Sequence, residues 1–141
     1  MKINPFSLTR PPMIVEEKQF EDPGQPGQLL TLKLKQLDNA EQAHALELGE
    51  SIALEFLGSD QDEELKPTRS PLFVDGTVIK GSRFLYRNVA VIWAMQVVDN
   101  EDDRYTTDQL LALSVTMPIA WRQVIAWSNT LGKSGEKTKN D

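Results

Sequence analysis

Hydrophobic and polar positions alternate most cleanly at Leu30, Leu32 and Leu34, which are separated by Thr31 and Lys33 and followed by Lys35. A period of two marks a strand with one buried face. A weaker strand pattern covers residues 13–20. Between the two lies Glu21-Asp22-Pro23-Gly24-Gln25-Pro26-Gly27, dense in turn-forming residues. The pair reads as an antiparallel hairpin. Upstream, Pro5, Pro11 and Pro12 crowd residues 3–12. Proline fixes φ and lacks an N–H donor, so residues 1–12 are expected to form an extended arm.

Downstream the period lengthens to that of a helix. Asp38-Asn39-Ala40-Glu41 resembles a capping box, and the helix it opens is expected to reach Leu57 and stop at Gly58. Leu46, Ile52, Ala53, Phe56 and Leu57 fall mostly on one side, while Gly49 weakens the helix slightly. Residues 59–70, with Asp60, Asp62, Glu63, Glu64 and Pro67, read as a solvated loop. Leu72-Phe73-Val74 and Thr77-Val78-Ile79 flank Asp75-Gly76, the signal of a type I′ hairpin. Ser82 is placed to cap a second helix over residues 83–98, carrying Phe84, Leu85, Val89, Ile92, Trp93 and Val97. After a charged turn at residues 100–104, Thr106 and Gln109 form a proper capping box for a third helix. Pro118 suits the first turn of a fourth, which stops at Gly132. Residues 133–141 hold no large apolar side chain and are expected to be a disordered polar tail. The expected fold is α+β and mainly α. About four helices should pack with short antiparallel hairpins in one globular domain, residues 13–132, around Phe56, Phe84, Ile92, Trp93, Leu111 and Val124.

Composition narrows the function. The 141 residues suit a single domain, and fifteen Lys and Arg against twenty-one Asp and Glu give a formal net charge of −6. A surface of that sign repels a phosphate backbone, which argues against nucleic acid as a partner. No cysteine is present, which removes disulfides, thiolate metal sites and cysteine nucleophiles together. No run approaches the roughly 20 apolar residues of a membrane span. Met1-Lys2-Ile3-Asn4-Pro5 lacks the apolar core of a secretion signal. The reading is of a soluble cytoplasmic protein with no membrane partner.

Catalytic and metal motifs fail in turn. The single histidine, His44, has Glu41 and Glu47 at helical spacing but no further ligands in pattern. Counted from Asp99, an EF-hand loop would need glycine at Arg104 and glutamate at Leu110. No Gly-x-Ser-x-Gly elbow, Walker loop or dinucleotide fingerprint occurs. Glu16-Glu17 and Asp62-Glu63-Glu64 read as surface charge. No enzyme, cofactor or metal is expected.

The aromatic residues say more. Trp121 and Trp127 lie six positions apart, about 120° around a helix axis. One wide core face accounts for both; alternatively one of them anchors a partner or a second subunit, where tryptophan is enriched. Phe6 and Leu8 in the proline-rich arm suggest docking onto a neighbour. Phe6, Leu8, Trp121 and Trp127 are therefore the candidate protein-interface residues.

The order of these segments resembles the tail assembly chaperones of long-tailed, siphovirus-like bacteriophages. A short proline-containing segment precedes a hairpin, residues 15–37, and then an acidic helix opening, Leu37-Asp38-Asn39-Ala40-Glu41. The second half is the closer match. Ala94-Met95-Gln96-Val97-Val98-Asp99-Asn100-Glu101-Asp102 leads into Tyr105-Thr106-Thr107-Asp108-Gln109-Leu110, and a last helix ends Asn129-Thr130-Leu131-Gly132 before a charged tail. The chain departs from the pattern at Asp102-Asp103-Arg104, where such proteins often carry Asp-Gly. The resemblance implies a homo-oligomer that binds the tape measure protein, keeps it soluble, and helps recruit tail tube protein. It also implies action in the host cytoplasm, absence from the mature virion, and in many cases a longer frameshifted form. The rival reading is another phage structural component, a head–tail completion or minor tail protein retained in the particle. An enzyme or small-ligand domain and a host-interaction adaptor are the remaining alternatives.

Overall fold

Alternating leucines build the first element of the fold. β1 (Val15–Glu21) pairs antiparallel with β2 (Leu29–Lys35), setting Phe20 opposite Leu30 and Val15 opposite Lys35. Leu30, Leu32 and Leu34 all point into the core. These elements come from a computed structural model, which describes residues 2–59 and 66–131. The expected polar tail and the middle of the acidic loop lie outside the described residues. The architecture is α+β and mainly helical, with four helices and two short antiparallel hairpins following the arm.

The arm is not wholly extended. Pro5–Ser7 forms one 3-10 turn, because Pro5 sits at a first-turn position where no N–H is needed. The Asn4 Oδ1 accepts from the Phe6 N–H at 3.2 Å.

α1 (Asn39–Leu57) begins on a complete capping box: the Glu41 N–H donates to Asp38 Oδ1 (2.8 Å) and the Asp38 N–H to Glu41 Oε1 (3.2 Å). Gly58 ends it at φ 69°, a conformation glycine adopts without strain. Its inner face differs from expectation. Ala45, Gly49, Ile52 and Ala53 are buried, whereas Leu46 and Leu57 are exposed. The cause is close packing on α2 (Arg83–Met95): a Cβ at Gly49 would lie 2.8 Å from the Arg87 Cα. Only small residues permit so near an approach.

β3 (Phe73–Val74) and β4 (Thr77–Val78) join through Asp75 (φ 50°) and Gly76 (φ 74°), the positive values a type I′ turn requires. α2 is capped by Ser82 and ends at Met95, not near residue 98. Gln96 turns extended and bridges to Leu34, and the Val97 N–H donates to the Lys33 carbonyl at 2.9 Å. This short segment satisfies part of the free edge of β2.

α3 (Thr107–Thr116) carries the second capping box, Thr106 with Gln109, and α4 (Pro118–Thr130) starts on its proline. Ile92, Leu111 and Val124 lie at the centre of one hydrophobic cluster, with Phe56 and Trp93 packed against it. Phe84 does not join them and is 72% exposed. It lies in the first turn of α2, about 160° around the axis from Tyr86. Tyr86 takes the inward place, its ring stacked on Phe56 at 5.3 Å.

Candidate protein-binding site

Both candidate tryptophans are already used within the fold. Trp121 is 7% exposed and Trp127 5%, as the wide-core-face reading requires. The Trp127 ring lies 5.7 Å from that of Phe20, and its Nε1–H donates to Glu16 Oε2 at 2.9 Å. Lys18 Nζ stands 5.4 Å from the same ring. These contacts fasten α4 to the first hairpin through the Trp127 ring and its Nε1–H.

The arm residues are the reverse case. Phe6 is 98% exposed, and Ile3, Leu8 and Met13 are exposed as well. Two further aromatic rings stand clear of the core, Phe84 and Phe73, the latter 64% exposed.

An open groove of about 590 Å³ runs between the first half of α1, the end of α2 and the 3-10 turn Glu101–Asp103. Leu37, Ala45, Leu48 and Trp93 supply its apolar lining; Glu41, His44, Glu101 and Arg104 supply its polar part. Its size falls within the roughly 300–1,000 Å³ typical of ligand clefts.

Arg104 fixes one side of the groove. Its Nη1 donates to the Trp93 carbonyl (3.0 Å) and the Gln96 carbonyl (3.2 Å) at the carbonyl end of α2, where a cation is favoured. The guanidinium lies 5.5 Å from the Trp93 ring centre and pairs with Glu101 at 2.8 Å. The buried Gln96 side chain exchanges two hydrogen bonds with the Tyr105 backbone, at 3.0 and 2.9 Å. On the opposite side Glu41 accepts from Lys35 Nζ at 2.7 Å. That bond, then the Asp38 N–H, holds the Glu41 carboxyl below its ordinary value. The Arg104 hydrogen bond does the same for Glu101. Both carboxylates are therefore charged at neutral pH, and each is paired with a base, Glu41 with Lys35 and Glu101 with Arg104.

Asp22 does a job that sequence reading missed. It is 1% exposed, and its Oδ2 accepts from the Ile119 (2.8 Å) and Ala120 (2.9 Å) N–H groups while Oδ1 accepts from Gly24 (2.8 Å). α4 has no side-chain cap of its own, since Met117 precedes it. Asp22 supplies the missing acceptor from the first hairpin turn. The Ala120 bond, followed by that of Gly24, pulls its carboxyl below the ordinary range.

His44 is exposed, 3.8 Å from Glu47. Among the described residues no group of three His, Cys, Asp or Glu side chains gathers as a metal site would need. Nor is any single helix among them long and apolar enough to cross a membrane. Comparison with protein-family models, with curated proteins and with solved structures found no match.

Proposed function

We propose that this chain is a tail assembly chaperone of a long-tailed bacteriophage. It self-associates, binds the tape measure protein to keep its apolar helices soluble, and helps recruit tail tube subunits. It acts in the host cytoplasm and leaves before the particle is complete. The observation that carries the binding part of this reading is the set of aromatic side chains left outside a finished core: Phe6, Phe73 and Phe84. Aromatic side chains anchor protein interfaces at low entropic cost. An acidic chain of net charge −6 tolerates such exposure because self-repulsion opposes nonspecific aggregation. The identity of the client comes from the segment order and the patches around Val97-Val98-Asp99 and Thr106–Gln109.

The test is co-expression with a phage tape measure protein, scoring the soluble fraction of that partner. A partner that precipitates equally with and without this chain refutes the reading. Mass spectrometry of purified virions separates the rival: a stoichiometric copy number would assign the chain to the finished particle instead.

A further inference from the structure

We infer that the N-terminal arm of one copy docks in the α1–α2 groove of a second copy, reciprocally, to form a two-fold dimer. This deepens the self-association in the proposed function and rests on that reading for its purpose. Four observations converge on it.

First, the arm is built but unaccompanied. The Asn4-capped turn presents Phe6 at 98% exposure, flanked by exposed Ile3 and Leu8. An ordered turn that displays an unpartnered aromatic ring loses little further entropy on docking. Second, the arm leaves the body beside the groove. Arg10, Pro11, Pro12 and Met13 line an adjoining hollow of about 320 Å³ whose wall includes Leu37 and Glu41, residues that also line the groove. A two-fold axis near this point would bring each arm to the other's groove with one repeated contact.

Third, the arm and the rest of the chain are opposite in charge. Residues 1–13 hold Lys2 and Arg10 and no acidic residue, whereas the remainder holds thirteen basic residues against all twenty-one acidic ones. Fourth, the arm does not fill its own groove. Arg10 is tethered to Asp38 of the same chain at 3.5 Å, Pro11 and Pro12 hold the root extended, and Phe6 and Leu8 beyond it stay exposed. A second copy is therefore the occupant.

The chain has no cysteine, so introduced ones are unique. Full-length Ser7→Cys and His44→Cys chains, mixed under mild oxidation, should yield a mixed disulfide dimer. Ser7→Cys mixed with Lys80→Cys should not, because Lys80 lies before α2, beyond the end opposite the groove. Sedimentation velocity of the wild-type chain should show a concentration-dependent dimer. Phe6→Ser should weaken its Kd by roughly thirtyfold or more, the effect of losing an interface anchor, with an unchanged circular dichroism spectrum. Four results would overturn the inference: a monomer at every concentration, a dimer indifferent to Phe6→Ser, crosslinking no better at His44 than at Lys80, or an intrachain disulfide in the Ser7→Cys/His44→Cys double variant. The solubility of the tape measure protein is a separate readout, so the arm exchange can fail while the chaperone reading stands, and the reverse.

Discussion

Replacing Gly49 with alanine sets two effects against each other on one helix. In the interior of α1 the substitution relieves the conformational cost of glycine, a gain of about 1 kcal/mol from helix propensity alone. Against that, the new Cβ would stand 2.8 Å from Arg87 Cα, 3.3 Å from its Cγ and 3.4 Å from its backbone nitrogen. Carbon atoms in contact rest at about 3.5–4.0 Å. The obstructing atom belongs to the backbone of α2 and has no rotamer to adopt, so the helices must part by several tenths of an ångström. A gap of that order forfeits about a quarter to a half of each dispersion contact along the shared face. Ala45, Ile52 and Ala53 of α1 and Val89 and Ala90 of α2 are all buried. Overpacking of this kind typically costs about 1–3 kcal/mol, and the rigid obstacle places Gly49→Ala at the upper end. The net expectation is a loss of about 1–2 kcal/mol. Urea unfolding followed by tryptophan fluorescence, with m of about 2 kcal/mol/M, should show the midpoint falling by roughly 0.5–1 M. Ser51→Ala, on the exposed side of the same helix, isolates the propensity effect and should leave the midpoint equal or slightly higher. A Gly49→Ala midpoint at or above wild type, with m unchanged, would refute the close-packing argument.

Three further outcomes are expected. Asp22→Asn should destabilise the fold at neutral pH. Because the folded-state pKa of Asp22 lies below its ordinary value, its contribution is complete above the unfolded pKa of about 3.9 and is lost as pH falls through the folded value. The gap between wild type and variant in thermal melts should therefore be widest near pH 7 and close below about pH 4. Trp127→Phe keeps the ring but removes the Nε1–H bond to Glu16, a loss of about 0.5–1.5 kcal/mol in chemical denaturation; it should leave the dimer constant unmoved, which a surface anchor would not. Phe73→Ser and Phe84→Ser, at exposed positions, should change stability by less than about 0.5 kcal/mol while lowering the soluble yield of co-expressed tape measure protein.

What the sequence disclosed was mostly local. The capping boxes at Asp38–Glu41 and Thr106–Gln109, the Asp75-Gly76 turn and the alternating leucines each depend on residues a few positions apart. Their geometry follows from neighbours whatever the rest of the chain does. Where a tertiary contact competes, the local rule gave way. α2 stops at Met95 because Gln96 and Val97 have the β2 edge to pair with, which no helical period in residues 83–98 records. Gly49, read as a weak point in α1, is what lets α2 approach. Phe84 scored as core by hydrophobicity but falls where Tyr86 occupies the inner surface. Of the four interface candidates, the two in the arm stand in solvent and the two tryptophans are enclosed. The groove itself was invisible because it forms only where α1, α2 and the turn after α2 meet.

Long-range caps leave a trace by omission. α4 opens on Met117 and Pro118, so nothing local accepts from the Ile119 and Ala120 amides. Buried donors seldom go unsatisfied, so such an opening demands an acceptor from elsewhere, and a short carboxylate in a turn is the chemistry that fits a helix N-terminus. Asp22, in the Pro-Gly turn of the first hairpin, meets that demand from 97 residues away. The same reasoning applies at the far end of α2. That helix has no basic residue in its last turn, and the carbonyls of Trp93 and Gln96 find Arg104 in the following turn. A glycine in place of Arg104 could not cap α2, cover Trp93 or border the groove with charge.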